Sequence, residues 1–266
     1  MKVFISVDIE GITTTSNWKE CDPDHPSYHA HADQMTAEVL AVCEGALAAG
    51  AKDICVRDAH GLGFNINQMK LPKEVILVRG WSGCPKSMAE GIDESFDAAM
   101  FVGYHAATMR PGNPLSHTIS GSNIGKIIMN GKVASEFMIY SWCAAYYGVP
   151  TVFLSGDKML CEDDKDLHPS VVYVAVKDGK GEVTYNRSTL LTLPELRTKS
   201  EQSLKQDLSK ARIKLPEKFE VTVFYKDHKY AEKMSHFPDV YRIDSNTLGF
   251  ERTDYYEVLR TLNWLV

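Results

Sequence analysis

The chain has 266 residues, of which 44% are hydrophobic and 24% are charged, and its formal net charge is −6 at pH 7. This composition is typical of a globular protein with enough apolar residues for a sizeable core, and the acidic balance argues against a nucleic-acid partner. No apolar run reaches the roughly 20 residues that cross a bilayer, and no leader pattern follows Met1. We therefore expect a cytoplasmic protein with no membrane partner.

Strand and helix patterns alternate along the first 165 residues. Several strands are apolar throughout, which is typical of a parallel sheet covered on both faces. We therefore predict that residues 1–165 form an α/β metal-binding catalytic core, a mainly parallel sheet covered by helices. The predicted strands are 1–9, 53–59, 74–80, 98–104 and 149–157; the helices are 33–49 and 135–148, with a hairpin at 126–134 that turns at Asn130-Gly131.

The pattern changes in residues 166–266, where strands are followed by amphipathic helices. We predict a smaller α+β portion that packs against the core and takes part in oligomerisation. Thr192 and Glu195 have the spacing of a capping box at a helix start. The predicted strands are 171–178, 182–187 and 219–225, and the predicted helices are 192–213, 227–238 and 254–266.

Residues that commonly bind metals follow four of the predicted strands. Asp8 and Glu10 end the first strand on one face, because side chains alternate along a strand. His60, His105 and Asp157 follow three later strands. Ligands of open α/β sheets bind beyond the carboxyl ends of parallel strands, so we expect these ends to converge.

Two further residues extend this set. Glu136 lies at the start of a helix, where the helix dipole favours a negative charge, and His117 lies in a loop after a proline-rich turn. Two histidines with three carboxylates suit a binuclear site for zinc or a similar divalent ion. Such a site can hold both a nucleophilic water and a carbonyl oxygen.

Other candidates have simpler interpretations. Asp58 and Asp157 fit supporting or helix-capping roles better than direct metal binding, and Asp58 is placed to orient a metal-bound histidine. His25, His29 and His31 lie close to Pro23 and Pro26, so we expect a solvated loop there rather than a metal site.

Five segments together resemble the zinc-dependent D-aminopeptidase family of bacterial dipeptide-transport operons. The match extends over roughly the first 160 residues and includes the strand GVPTVFLSGD. The segments are SVDIEG at 6–11, DAHG at 58–61, GYHA at 103–106, SHT at 116–118 and the helix start Ser135-Glu136.

The resemblance implies a site with two Zn²⁺ ions per subunit, and the same ligand set also accepts Mn²⁺ or Co²⁺. It implies that Asp8 bridges the two ions, that Glu10 and His105 bind one of them, and that His60 and Glu136 bind the other. His117 corresponds to the family's catalytic histidine, assigned as the nucleophile; a general base and an oxyanion stabiliser are also open roles for an imidazole.

The resemblance further implies an aminopeptidase that removes the N-terminal residue of short peptides, with D-amino-acid peptides as the family's substrates. It implies a homodecameric ring that encloses the active sites. The chain departs from the family in residues 12–31, which follow the Asp8 strand. Two alternatives stay open: a metal-dependent amidohydrolase or deacylase acting on a non-peptide substrate, and a non-catalytic metal- or peptide-binding protein.

Overall fold

The computed structural model describes residues 1–266. The strands are β1 (Lys2–Val7), β2 (Asp53–Asp58), β3 (Val75–Val78), β4 (Ala98–Tyr104), β5 (Ile124–Met129), β6 (Lys132–Val133), β7 (Thr151–Asp157), β8 (Val172–Lys180), β9 (Val183–Asn186), β10 (Phe219–Tyr225), β11 (Tyr241–Arg242) and β12 (Thr247–Arg252). The helices are α1 (Tyr28–Ala48), α2 (Glu136–Tyr146), α3 (Lys158–Lys165), α4 (Thr189–Lys205), α5 (His228–Met234) and α6 (Tyr255–Leu265).

The first sheet has seven strands in the order β3-β2-β1-β4-β7-β8-β9. All neighbours are parallel except β8 and β9, so the predicted mainly parallel α/β core is confirmed. The chain adds β2 and β3 on one side of β1 and then crosses to β4 on the other side. This reversal makes the carboxyl ends of β1 and β4 a topological switch point, the usual location of a ligand site in such sheets.

Both faces of the first sheet are covered, because the side chains of β1 alternate between two hydrophobic cores. Val3, Ile5 and Val7 pack in the core that α1 and α4 supply. Phe4 points to the opposite core, which contains residues of α2, α6 and the second sheet. Burial on both faces explains why β4 and β7 are buried at every position.

The second sheet is antiparallel, with the strand order β11-β12-β10-β5-β6. The predicted hairpin is confirmed: Asn130 and Gly131 both have positive φ, 48° and 79°, as a type I′ turn requires. Each sheet contains strands from both sides of residue 165. The first sheet includes β8 and β9, which follow that residue, and the second sheet includes β5 and β6, which precede it. The division into domains 1–165 and 166–266 stays a prediction.

Two helix starts differ from the sequence prediction. Helix α1 begins at Tyr28 rather than at residue 33, so the predicted loop around His29 and His31 is in fact helical. Helix α4 begins after Ser188, whose side chain accepts a hydrogen bond from the Leu190 amide, and it ends at Lys205 instead of 213. The predicted capping box at Thr192 was wrong because that residue lies inside the helix. No helix of the fold combines the length and apolarity needed to cross a membrane.

Candidate metal centre

Two glycines allow the ends of β1 and β4 to meet. The Gly11 amide donates a 2.7 Å hydrogen bond to the Gly103 carbonyl. A Cβ atom at Gly11 would lie 1.8 Å from the carbonyl oxygen of Tyr104, and one at Gly103, where φ is +70°, would lie 2.3 Å from the carbonyl oxygen of Asp8. Larger residues would separate the two strand ends and the acidic and histidine side chains beside them.

Three buried carboxylates lie at this junction. Asp8, Glu10 and Glu136 are only 2–3% exposed. Nδ1 of His60 lies 3.0 Å from Oε2 of Glu10 and 3.5 Å from Oδ1 of Asp8. Nε2 of His105 lies 3.4 Å from Oδ2 of Asp8 and 3.3 Å from Oε2 of Glu136. Asp8 therefore lies between the two histidines.

His117 lies at the same centre. Its Nε2 is 3.5 Å from Oε1 of Glu136, and its ring stacks on that of His105 with 4.2 Å between ring centroids. The loop that carries His117 is held by Asn113, whose side chain accepts the Leu115 amide. The fold thus brings together all six predicted site residues, although they come from five separate segments of the chain.

Each of the three histidines has one nitrogen bound to a backbone carbonyl. Nε2 of His60 donates to the carbonyl of Cys21 over 3.0 Å. Nδ1 of His105 donates to the carbonyl of Ala106 over 3.0 Å, and Nδ1 of His117 donates to the carbonyl of Leu115 over 2.8 Å. In the neutral imidazoles these bonds place the proton on that nitrogen, so that the other nitrogen, which faces the carboxylates, can offer its lone pair to a metal ion. Histidines that bind metals are typically oriented in this way.

The charges at the centre are strongly coupled. Burial alone would lower the pKa of His60 and His105, but the nearby carboxylates outweigh burial and raise both well above the ordinary value. Burial would raise the pKa of Glu10, but the neighbouring histidines lower it well below its usual range. Burial and the charge of Glu10 raise the pKa of Asp8. The cluster therefore favours a compensating positive charge.

The donor atoms fit a divalent cation. Oδ2 of Asp8, Oε2 of Glu10 and Nε2 of His105 are buried and lack a hydrogen-bond partner. Buried polar atoms are seldom left unpaired, since an unmet donor or acceptor costs about 1–3 kcal/mol. Carboxylate oxygens and imidazole nitrogens together suit zinc and related ions. A cation at this position would satisfy all three atoms.

The closest contacts group the ligands differently from the grouping that the resemblance implies. They place His60 with Glu10, and His105 with Glu136. Asp8, Glu10 and His105 also have donor atoms within 4.8 Å of one another, as do His105, His117 and Glu136. The set of Asp8, Glu10 and His105 agrees with one half of the implied grouping, whereas no such set joins His60 to Glu136. The assignment of residues to individual ions stays a prediction.

A buried polar network that sequence reasoning missed holds Glu10 in place. The Glu10 carbonyl accepts from Nδ2 of Asn113 over 3.0 Å and from Nζ of Lys177, which also donates to the Thr15 carbonyl. Lys177 is 2% exposed, and burial lowers its pKa to about 8. The signal in the sequence was that Lys177 directly continues the apolar strand run VVYVAV, residues 171–176. A charge buried in such a strand requires a specific partner.

The two supporting aspartates have structural roles. Asp157 caps α3 by accepting the Leu160 amide and also accepts the Ala106 amide next to His105. Asp58 accepts from the backbone and the side chain of Asn65, and Asn65 in turn donates to the His60 carbonyl. The predicted capping role of Asp157 is confirmed, whereas Asp58 supports the His60 backbone rather than its ring.

A cavity of about 450 Å³ opens onto the centre. The residues that line it include Asp8, Glu10, His60, His117 and Glu136, together with the aromatic side chains of Trp18, Trp81 and Tyr140. The ring of Trp18 packs edge-on against His117, with 5.2 Å between centroids. Residues 12–31 therefore contribute directly to the site, and Trp18 shapes the space next to the candidate catalytic histidine.

Comparisons with known proteins show which proteins this chain is similar to. A D-aminopeptidase of Bacillus subtilis (strain 168) is 32% identical over 177 residues, which cover 66% of this chain and 64% of that protein. The matched region thus spans less than two thirds of the relative. The solved structure of the Zn-dependent D-aminopeptidase DppA from Bacillus subtilis, a self-compartmentalizing protease, superposes with a TM-score of 0.92 and 25% identity. It covers 100% of this chain and 96% of that one.

The family match extends further along the sequence than the segments that suggested it. The model of peptidase family M55, described as D-aminopeptidase, matches residues 1–264. It therefore includes the C-terminal part, which was less diagnostic in the sequence alone. This chain belongs to the D-aminopeptidase family.

Proposed function

We propose that this protein is a binuclear zinc aminopeptidase that removes the N-terminal residue of short peptides. The observation that carries the proposal is the convergence of three buried carboxylates and three histidines, each histidine with one ring nitrogen facing the carboxylates. The similarity to a Zn-dependent D-aminopeptidase supports the choice of metal and of reaction.

The metal ligands in this proposal are Asp8, Glu10, His60, His105 and Glu136, with Asp8 between the two ions. When bound, two zinc ions supply an activated water, polarise the scissile carbonyl and hold the free amine of the peptide. The chain contributes fixed ligand positions: the glycine contact between β1 and β4 sets the separation of Asp8 and His105. Carbonyl hydrogen bonds hold the histidine rings in place.

His117 is the residue that we propose to act on the scissile bond. Its lone pair is on Nε2, because Nδ1 donates to the Leu115 carbonyl. Nε2 can attack the carbonyl carbon, or it can accept a proton from water and pass it to the leaving amine. Hydroxylamine separates the two roles, since it traps an acyl-histidine as a hydroxamate and yields none in the general-base case.

The substrate class follows from the cavity and the family. A space of about 450 Å³ has room for a short peptide, and two tryptophans are among the residues that line it. We propose peptides with a D-amino acid at the N-terminus as substrates, because both named relatives are D-aminopeptidases. Turnover of L- and D-aminoacyl dipeptides by metal-loaded protein tests this preference; equal rates would refute it.

We also propose that the protein assembles into a closed homodecameric ring in the cytoplasm. The similar structure is described as a self-compartmentalizing protease, which implies an enclosed chamber. The C-terminal portion, residues 166–266, is the region that we expect to contribute to assembly. Light scattering would detect the ring directly, and a mass near the 29.7 kDa of one chain would refute it.

The same panel of substrates tests the alternatives. A deacylase or amidohydrolase would hydrolyse acylated small molecules with blocked amines, whereas an aminopeptidase requires a free N-terminal amine. A binding protein would bind peptides in the presence of zinc and leave them intact. Release of free N-terminal residues only from unblocked peptides supports the aminopeptidase.

A further inference from the structure

Two tryptophans with partly exposed rings line the cavity at the metal centre. Trp18 is 49% exposed and Trp81 is 40% exposed, and both line the same cavity as His60 and His117. Indole rings are large apolar groups and are buried to a high degree in most proteins. Two exposed indoles in a cavity that also holds polar groups are typical of a surface that binds a ligand.

Trp81 is held in a fixed position next to His60. Its Nε1 donates a 2.7 Å hydrogen bond to the carbonyl of Gly61, the residue after His60. The guanidinium carbon of Arg57 lies over the indole ring, 4.1 Å from its centroid. Nη1 of Arg57 donates over 2.5 Å to the carbonyl of Gly80, which precedes Trp81. Arg57 therefore covers one face of the ring, and a substrate can meet only its edges and its opposite face.

The contacts of Arg57 explain why this residue is buried. The side chain is fully buried, and its Nε and Nη2 have no hydrogen-bond partner. A buried charge is costly unless specific contacts compensate for it. The contacts here are the Gly80 carbonyl and the Trp81 ring, and the attraction between a cation and an aromatic face is strongest where water is excluded. Arg57 is therefore placed to fix the loop that carries Trp81.

Trp18 occupies a similar position beside His117. Its ring packs edge-on against the His117 ring, with 5.2 Å between centroids. Gly121 leaves room for the indole, because a Cβ atom at Gly121 would lie only 3.3 Å from it. The two indoles thus adjoin two histidines of the centre, Trp81 next to His60 and Trp18 next to His117.

We propose that Trp18 and Trp81 form an aromatic subsite that selects peptides whose N-terminal residue has a large apolar or aromatic side chain, and that Arg57 positions Trp81 for this contact. The inference rests on the proposed function, in which the metals hold the free amine and the scissile carbonyl. The side chain of the N-terminal residue leaves the carbon between these two groups, so it emerges beside the centre, where the indoles lie.

The chemistry of the subsite determines which side chains it accepts. Contact with an indole removes apolar area of the substrate from water, and aromatic rings gain further from edge or offset stacking. A cationic side chain is disfavoured, because Arg57 places a positive charge behind the ring of Trp81. We therefore expect phenylalanine to be preferred over both alanine and lysine as the N-terminal residue.

Dipeptides that differ only in their first residue test the subsite. For zinc-loaded protein we expect kcat/KM for D-phenylalanyl-glycine to exceed that for D-alanyl-glycine and for D-lysyl-glycine by at least about tenfold, as added apolar contact in a pocket usually gives. Trp18→Ala and Trp81→Ala should each lower the phenylalanyl-to-alanyl ratio towards one. The control is Trp264→Ala, a change at an exposed tryptophan of α6 outside the cavity, which should keep the wild-type ratio.

Arg57 requires a separate test, because it acts through Trp81 and does not line the cavity. In Arg57→Met the indole loses the cation that covers one face, so we expect KM for D-phenylalanyl-glycine to rise by a larger factor than kcat falls. Arg57→Lys keeps a positive charge and should restore part of the phenylalanyl-to-alanyl ratio. A merely structural role would lower the stability of both variants and leave this ratio at the wild-type value.

Equal kcat/KM values for the phenylalanyl and alanyl peptides in the wild type would overturn the proposal. An unchanged ratio in both Trp18→Ala and Trp81→Ala would also overturn it, as would a preference for phenylalanine only as the second residue, in D-alanyl-phenylalanine.

Calorimetry of zinc-loaded wild type with the free amino acids needs no turnover and also decides should the tryptophan variants fail to fold. D-Phenylalanine should bind at least about tenfold more tightly than D-alanine. Such binding without hydrolysis of any peptide would refute the proposed aminopeptidase and leave the aromatic subsite intact. Equal binding of the two amino acids would refute the subsite even if both peptides are hydrolysed.

Discussion

The imidazole rings of His105 and His117 are stacked, with 4.2 Å between their centroids and 9° between their planes. In both rings Nε2 faces the carboxylate of Glu136, and Nδ1 donates a hydrogen bond to a backbone carbonyl. The two histidines nevertheless differ in access, because His105 is fully buried whereas His117 lines the cavity. Of the two stacked rings, His117 is therefore the one that substrate in the cavity can reach.

Replacement of His117 is expected to abolish turnover without removing the metal. For His117→Gln we expect kcat to fall by about 10²–10⁴-fold, the usual contribution of a positioned acid–base group. Zinc content should stay at the wild-type level, because the proposed ligands remain. Parallel measurement of kcat and bound zinc tests this; a kcat close to that of the wild type would remove His117 from the catalytic role.

Replacement of Glu10 should have a different effect, with loss of metal and activity together. Glu10→Gln keeps the side-chain size but removes a buried charge that binds metal, so we expect zinc affinity to fall by about 100-fold or more. The matched control is His25→Ala, since the His25 ring bonds Ser27 outside the centre. Full retention of zinc and turnover in Glu10→Gln would contradict the ligand assignment.

Lys177 is expected to position the loop that carries Glu10. In Lys177→Met, the Thr15 carbonyl loses the Lys177 donor and the Glu10 carbonyl retains only Asn113. We expect the free energy of unfolding to fall by about 1–3 kcal/mol, as for other unpaired buried groups. Zinc affinity should fall as well.

The control for this variant is Lys158→Met, which removes an exposed lysine paired with Asp178. Ion pairs on the surface contribute little to stability because solvent screens them, so only a small change in the free energy of unfolding is expected. Urea unfolding and zinc titration of both variants provide the comparison. Equal effects of the two substitutions would argue against a positioning role for Lys177.

Glu38 should make the stability of the protein depend on pH. The side chain is fully buried in α1 and accepts the Thr13 amide, and burial raises its pKa. The native state therefore holds this proton more tightly than the unfolded chain does. Its contribution to stability is complete below the unfolded pKa of about 4.3 and is lost as pH rises through the native pKa.

Glu38→Gln removes this titration. The free energy of unfolding of the variant should rise relative to that of the wild type as pH rises from about 4 to 7. At lower pH the difference between the two proteins should be constant. Unfolding in urea across this range measures the difference. The control is Glu44→Gln, a change at a partly exposed acid on the same helix. If the free energy of unfolding of Glu38→Gln and of the wild type changed with pH in parallel, the prediction would be contradicted.

Local signals in the sequence were sufficient for most of the strands and for the Asn130-Gly131 turn, because each depends on a few adjacent residues. The short strands β11 and β12 and the helix α3 were not predicted. The start of α4 was missed because Thr192 and Glu195 imitate a cap, whereas the true cap is Ser188. Lys177, Asn113 and Cys21 were not assigned to the site, since their proximity to Glu10 depends on tertiary contacts over long separations in sequence.

The most direct test of the central claim is the hydrolysis of a short peptide with an N-terminal D-residue, measured as zinc is titrated into metal-free protein. We predict no turnover without metal and a rate that rises until two zinc ions are bound per chain, with release of the free D-amino acid. A rate that is independent of zinc, or no hydrolysis by protein with two zinc ions bound, would contradict the assignment of this centre as an aminopeptidase site.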